Sequence, residues 1–112
     1  MRKNTREVFN AWKQGKRKKF CDAIHTDFGE IYSYATLLVA QHDNTVVLNR
    51  TKYSITTSIH QGGLHVLLEK HCKDNNLELL IVEDIPIGYR SCEAIEIAVV
   101  NHWKNRHNTQ EA

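Results

Sequence analysis

Residues 31–57 decide the fold, and they read IYSYATLLVAQHDNTVVLNRTKYSITT. Aliphatic, aromatic and β-branched side chains fill residues 31–41 and again residues 46–57, a composition typical of β-strands. Between them lies HDNT, residues 42–45, a polar cluster with the length and residue types of a hairpin turn. The pattern therefore predicts two antiparallel strands joined by a tight connection.

The sequence on either side of this hairpin predicts further helices and strands from the spacing of apolar residues. In chain order, the expected elements are a helix over residues 4–14, a strand over 19–26, the two hairpin strands, a helix over 58–73, a strand over 77–82 and a helix over 92–105. In the first helix, Val8, Phe9, Ala11 and Trp12 have helical spacing, so this helix is expected to dock on the core through Phe9 and Trp12. Ser58 is the expected N-cap of the second helix. The alternation of Ile95, Ile97 and Val99 also fits a strand, but the length of the segment and a cap at Ser91 favour a helix.

These elements predict one α+β domain over residues 1–112: an N-terminal helix, a three-stranded antiparallel meander, a helix, a fourth strand and a C-terminal helix. Of the 112 residues, 41% are apolar and 25% charged, as in a soluble globular domain. No run approaches the roughly 18 apolar residues of a membrane helix, and no apolar stretch follows the basic N-terminus. The odd number of cysteines, Cys21, Cys72 and Cys92, favours free thiols in a cytoplasmic protein.

Charge is distributed unevenly along the chain. Residues 2–19 contain eight basic residues and one acid, Glu7, and therefore carry +7, whereas the remaining seven bases and twelve acids leave −5. A basic end on an acidic body is typical of proteins that contact nucleic acid, because lysine and arginine near phosphates release counterions. The alternative is a solvated basic helix end followed by a polar turn. Either way, Lys16, Arg17, Lys18 and Lys19 are expected to form an exposed connection.

Tyrosines on the predicted hairpin form a second candidate site. Tyr32 and Tyr34 lie two residues apart and so share one face of a strand, and Tyr53 lies on the strand predicted to pair with it. With Arg50 and Lys52 close by, the three rings could form a platform on which unpaired bases stack. The same tyrosines could equally be cross-strand pairs in the core.

No motif for catalysis, metal binding or a cofactor stands out. His60 and His65 are five residues apart, which is not the spacing that presents two ligands on one helix face, and the other histidines are placed no better. Cys21 with His25 has the residue types of a nucleophile and a base, but nothing in the sequence indicates an environment that activates a thiol. We therefore expect no enzyme activity, no metal and no cofactor.

Three stretches of the chain resemble a family of small uncharacterised proteins found in bacteriophages and other mobile elements. They are REVFNAW at residues 6–12, residues 25–36 with a Thr-Asp-Gly-type turn and a Tyr-Ser-Tyr strand, and residues 46–61, which end in a Thr-Lys-Tyr-Ser-x-Thr-Thr-Ser-x-His-Gln junction. The resemblance covers roughly residues 4–61 and departs from the pattern at Phe28 and at Gly62-Gly63. It implies a phage origin, the cytoplasm of a bacterial host, and a three-stranded meander followed by a helix. It brings no functional residues with it.

Two classes of function fit these observations. The first is a nucleic-acid-binding accessory protein that uses the basic N-terminal segment and the tyrosine face. The second is a phage-encoded inhibitor, similar to anti-CRISPR proteins, that docks on a protein complex of host defence or regulation. The charge asymmetry favours nucleic acid as the partner, and neither reading involves a membrane. The sequence gives no indication of the oligomeric state.

Overall fold

The computed structural model describes residues 2–16, 18–20, 24–27, 29–86 and 88–111, and for 18–20 and 106–111 it describes the backbone only. Within these residues the chain forms three helices and six strands. They are α1 (Lys3–Lys13), β1 (Lys18–Phe20), β2 (Ile24–Asp27), β3 (Glu30–Ser33), β4 (Thr36–His42), β5 (Thr45–Asn49), α2 (Ile55–Asp74), β6 (Glu78–Val82) and α3 (Ser91–Glu111). The described helices include none that is both long and apolar enough to cross a membrane.

The described strands form one mixed sheet in the order β1-β2-β3-β4-β5-β6. Strands β1 to β5 are antiparallel neighbours, whereas β6 pairs with β5 in parallel after the crossover through α2. The expected α+β class is therefore confirmed, and so is the helical state of residues 92–105. The antiparallel meander, however, has five strands and not three, and β6 lies beside β5 in a parallel orientation.

The predicted single strand over residues 31–41 is wrong, because the chain reverses in its middle. Ser33 pairs with Thr36 across a two-residue turn, in which Tyr34 has a φ of 55°. Such left-handed backbone is normally supplied by glycine or asparagine, so a tyrosine gives no turn signal. The predicted strand over residues 19–26 likewise separates into β1 and β2.

The predicted strand over residues 46–57 is also too long. Strand β5 ends at Asn49, whose buried side chain accepts a hydrogen bond from the Thr51 backbone N–H and donates one to the Leu37 carbonyl. These bonds turn the chain out of the sheet, and α2 begins at Ile55. Ser54 rather than Ser58 is the N-cap, because its Oγ accepts the N–H of Thr57 at 3.2 Å.

Helices cover the sheet on both faces. On one face, α1 and α2 pack over a core that includes Val8, Ile31, Val46 and Leu64. The N-terminal helix docks as expected, with Phe9 and Trp12 buried and the Trp12 Nε1 donating to the Gly29 carbonyl at 2.8 Å. On the other face, α3 packs over a second core. Its buried residues are Leu37, Ala40, Val47, Ile85, Ile95 and Val99.

All three helices begin at the same end of the sheet. The Leu37 N–H donates to Ser91 Oγ, which places the start of α3 beside the start of β4. The Gln61 amide donates to the Asn49 carbonyl, so α2 begins where β5 ends. Trp12, near the end of α1, contacts His71 near the end of α2, so these two helices run in the same direction. We call this end of the sheet the helix-start end.

Candidate nucleic-acid interface

The outer face of α1 carries a row of exposed cations. Lys3, Arg6 and Lys13 are exposed at spacings of three and seven residues, which place them on one side of a helix. The opposite side, containing Phe9 and Trp12, is buried against the sheet and α2. Because the apolar side is held in the core, the basic side is fixed toward solvent. Arg2 before the helix and Lys16 after it are also exposed and lengthen the row.

Two cations of this row, Lys3 and Lys13, make contacts with other side chains of α1. Lys3 Nζ lies 4.0 Å from a carboxylate oxygen of Glu7, the one acid in the helix; the Lys3 side chain is exposed and the Glu7 side chain is partly so. Lys13 Nζ lies 5.3 Å from the centre of the Phe9 ring, where the ring face attracts a cation. An exposed ion pair at this distance contributes little energy. The row therefore keeps a strongly positive character.

The structure places the predicted basic connection over residues 16–19 in two settings. Lys16 is exposed and follows Gly15, whose φ of 71° lets the chain turn away from the helix end. Arg17 lies outside the described residues. Lys18 and Lys19 belong to β1, where they pair with Thr26 and His25, so the expectation of a connection without regular structure is wrong for them. They form the edge strand of the sheet next to α1.

Tyr32 does not form an open platform with the other tyrosines. Its ring lies in the sheet on the face covered by α3 and stacks on His25 of β2 with ring centres 5.4 Å apart. The Tyr32 hydroxyl donates to a Glu30 carboxylate oxygen at 3.3 Å. Burial raises the pKa of the Tyr32 phenol, and the adjacent Glu30 charge adds to the increase. Of the two alternatives given for the tyrosines, Tyr32 therefore follows the second, because it packs against a residue of the neighbouring strand.

Tyr34 and Tyr53 lie at the helix-start end, in the segments that connect the strands and helices, and not on a face of the sheet. Tyr34 occupies the β3–β4 turn and is 53% exposed, and Tyr53 immediately precedes the Ser54 cap of α2 and is 44% exposed. The Tyr53 hydroxyl accepts a hydrogen bond from the Asn49 amide at 3.1 Å. Two partly exposed aromatic rings therefore stand at the helix-start end, although neither is on the strand where the sequence predicted it.

A buried polar cluster holds the two turns that carry these tyrosines. Ser33 Oγ lies 2.9 Å from Nδ1 of His60 and 3.2 Å from the Thr57 hydroxyl. Burial lowers the pKa of His60, and the Arg2 guanidinium at the start of α1 lowers it further. His60 is therefore neutral near pH 7 and can share a hydrogen bond with Ser33. The cluster ties the β3 end, the α2 start and Arg2 into one region.

A second set of buried bonds fixes residues 50–54. The Gln61 amide nitrogen donates to the carbonyls of Asn49 and Thr51, at 2.7 and 2.8 Å. The Thr51 hydroxyl accepts the N–H of Ile85. Sequence reasoning missed His60 and Gln61 as buried groups. Their signal was spacing, because they continue the buried row of Leu64 and Leu68 toward the N-terminus of α2.

Arg50 and Lys52 face a different environment from the one predicted. Together with Glu83 and Asp84 they line an open cleft of about 570 Å³ between residues 50–52 and the segment after β6. Two cations and two carboxylates balance each other, so this cleft has no net attraction for phosphate. The Arg50 guanidinium also lies over Gly62, where an added Cβ would be 3.8 Å from its Nη1. Arg50 and Lys52 therefore contribute less to an anion site than the row on α1.

Nucleophilic and metal-ligating side chains are scattered in the described part of the chain. Cys72 is buried, which raises the pKa of its thiol, whereas Cys92 is exposed at the start of α3. Cys21 lies outside the described residues. Ser33 and His60 are both buried, so their contact serves to join β3 to α2. No three His, Cys, Asp or Glu side chains among the described residues lie close enough together to hold a metal ion.

Comparison of the chain with protein-family models, with curated proteins and with solved structures found no match. The resemblance of residues 4–61 to phage proteins therefore stays an expectation from the sequence. The candidate site is defined by the molecule itself: a row of exposed cations along α1 that ends, at the helix-start end, near Tyr34 and Tyr53.

Proposed function

We propose that the protein binds nucleic acid through the outer face of α1. The observation that carries the proposal is the row of exposed cations, with Lys3, Arg6 and Lys13 on a helix whose other side is buried in the core, and Arg2 and Lys16 just outside its two ends. A docked helix holds the backbone positions of these charges in a fixed line, so little backbone freedom is lost on binding. Such a line suits a regular array of phosphates.

The dimensions of α1 fit a nucleic-acid backbone. Lys3 and Lys13 are ten residues apart, which corresponds to about 15 Å along a helix axis. Each strand of a B-form duplex presents about four phosphates over that length. The row can therefore contact three or four phosphates without any deformation of the helix. Contacts of this kind position a nucleic acid but do not read its sequence.

The charge balance of α1 itself supports the proposal. α2, in the same layer, exposes the acids Glu69 and Asp74, and α3, on the opposite face, exposes Glu93 and Glu96. α1 has a single acid, Glu7, which is half-buried. A polyanion is therefore attracted more strongly to α1 than to the outer faces of the other two helices.

Tyr34 and Tyr53 favour single-stranded nucleic acid. Exposed rings next to a basic row provide faces on which unpaired bases stack, and each stack contributes about 1–3 kcal/mol. Arg2 links the two features, because its charge acts on His60, which contacts Ser33 beside Tyr34. A strand whose phosphates follow α1 toward its N-terminus thus arrives at the two rings.

The test compares two triple variants by the salt dependence of oligonucleotide binding. Arg6, Lys13 and Lys16 are changed to Gln in the first, and Lys73, Arg90 and Lys104, three exposed cations outside α1, are changed to Gln in the second. Both lose the same charge, so a general electrostatic effect would be equal in the two. We expect the first variant alone to bind weakly to all sequences, with the slope of log K against log salt reduced by up to about 2 for single strands.

Equal losses in the two triple variants, or no binding by the unaltered protein at low salt, would contradict the proposal. In the second case the inhibitor reading makes a distinct prediction. The protein would then form a complex with a protein partner, and substitution of the α1 cations would matter only if that partner presents an acidic surface.

A further inference from the structure

The two edges of the sheet differ in how they are protected from pairing with another strand. An edge strand presents unpaired N–H and C=O groups, and natural proteins commonly guard it by short length or by lysines. β1 is three residues long and its sequence is Lys-Lys-Phe. β6 is five residues long, reads Glu-Leu-Leu-Ile-Val and contains neither lysine nor proline. The β6 edge therefore lacks the short length and the lysines that protect the β1 edge.

The side chains of β6 are incompletely covered although four of the five are aliphatic. All five residues from Glu78 to Val82 are half-buried, in contrast to β5, where all five are fully buried. A cleft of about 240 Å³ continues this surface onto α3, lined in part by Val82, Ala94 and Ile97. Ile97 is 57% exposed. An apolar strip thus follows the edge of the sheet.

Hydrogen bonds identify which backbone groups of β6 face outward. The Glu78 N–H donates to the Asn44 carbonyl, and the Val82 carbonyl accepts the Arg50 N–H, so these even-numbered residues bond toward β5. In a parallel ladder the N–H and C=O of alternate residues point to the same side. Leu79 and Ile81 therefore direct their N–H and C=O groups to the open edge.

We propose that the β6 edge pairs with β6 of a second copy of this chain, antiparallel, around a two-fold axis at Leu80. In this register Leu79 of each copy lies opposite Ile81 of the other. Both residues have outward N–H and C=O groups, so the two pairs form four hydrogen bonds. A shift by one residue would place outward groups opposite groups already bonded to β5, and the bonds would not form.

Hydrogen bonds and charge together select the register. Moving the axis to Leu79 would place Ile81 opposite Leu77, whose N–H is already bonded to the Cys72 carbonyl. With the axis at Leu80, Glu78 lies opposite Val82, and Glu83 lies opposite Leu77, so no two acids face each other. Moving the axis to Ile81 would place Glu78 opposite Asp84, and like charges directly across a sheet destabilise it. The strand is therefore complementary to itself, and the paired sheets form one continuous sheet of twice the width. This two-fold contact is closed and does not lead to a fibre.

The first test measures molar mass in solution by sedimentation over a range of protein concentrations, without nucleic acid. We expect a concentration-dependent dimer for the unaltered chain. Ile81→Pro removes an outward N–H without removing a bond to β5, and should be monomeric. Ile81→Ala loses side-chain packing but keeps the N–H, and should dimerise far better than the proline variant. A chain that stays monomeric up to near-millimolar concentration, or a proline variant that dimerises as well as the alanine variant, would overturn the pairing.

The second test does not depend on the proline variant folding. In a background with Cys21→Ser, Cys72→Ala and Cys92→Ser, a cysteine is introduced by Leu80→Cys or, as the matched control, by Glu83→Cys. Residues at the axis are about 4.5 Å apart between Cα atoms, within reach of a disulfide, whereas the two copies of residue 83 are about 20 Å apart. We expect mild oxidation to cross-link Leu80→Cys alone. Equal cross-linking of both variants, or of neither, would overturn the register, leaving the edge to a strand from a different protein.

Discussion

Ser33 Oγ lies 2.9 Å from Nδ1 of His60, and both side chains are buried. The contact joins the last residue of β3 to the second turn of α2, 27 residues further along the chain. It holds the turn that carries Tyr34 against the helix that follows Tyr53. A buried contact between a hydroxyl and a neutral imidazole therefore positions the aromatic part of the proposed interface.

The burial of His60 makes stability depend on pH. The pKa of His60 is lowered in the folded protein by burial and by Arg2, so the unfolded chain binds protons more readily as the pH falls below about 6.5. The stabilising contribution is complete above that pH and is lost as the pH falls. We expect the urea midpoint to decrease between pH 7.5 and 5.5, and His60→Asn to reduce that decrease.

His71 is a second source of the same pH dependence, because burial and Lys13 lower its pKa while Asp74 opposes them. His71→Asn should therefore remove a further part of the decrease, and the double variant most of it. If the urea midpoint of the His60 and His71 variants decreased as much as that of the unaltered protein, other groups would be the cause of the pH dependence.

The N-cap of α2 can be located by two matched substitutions. Ser54 Oγ accepts the Thr57 N–H, so Ser54→Ala should lower the free energy of unfolding by about 1 kcal/mol. Ser58 is exposed within the helix, and Ser58→Ala should change stability by a few tenths of a kcal/mol at most, because alanine is the better helix former. Chemical denaturation measures both. The opposite order would place the helix start four residues later.

Tyr34 allows stability and binding to be separated. Its left-handed backbone is unfavourable for a residue with a Cβ, so Tyr34→Gly should raise the free energy of unfolding by up to about 1 kcal/mol. The same change removes an exposed ring, and we expect it to weaken single-strand binding by about fivefold or more while leaving duplex binding unchanged. Tyr53→Phe keeps its ring and should retain single-strand binding. A glycine variant that binds single strands normally would remove Tyr34 from the interface.

The sequence predicted those elements whose signals are local. α1 and β6 were expected within one residue of their observed limits, because the first has a helical apolar spacing and the second a dense apolar run. α3 begins where it was expected but continues to Glu111, six residues beyond the predicted end. The two predicted hairpin strands were too long, because the chain turns at Tyr34 and leaves the sheet after Asn49. Tyr34 turns the chain without a residue type that announces a turn, and Asn49 ends β5 through bonds to Leu37 and Thr51 that depend on tertiary structure.

The sequence predicted the positive charge of the candidate site but not how its side chains are arranged in space. The basic character of residues 2–19 could be counted directly, and the docking of Trp12 followed from helical spacing. The expected tyrosine face could not be correct once Tyr34 and Tyr53 left the strands. Arg50 and Lys52 lie beside Glu83 and Asp84, acids more than thirty residues away in the chain, and no local pattern reveals such a neighbour.

The position of α3 after all the described strands has a consequence for synthesis. Proteins emerge from the ribosome N-terminus first, so the sheet and both helices of its other face are complete before α3 is available. Until then Leu37, Ala40 and Val47, which α3 buries, lie open to water on one side of an otherwise finished sheet. A nascent or prematurely terminated chain lacking α3 should therefore be a substrate for chaperones and prone to aggregate, whereas loss of α1 would expose the opposite face.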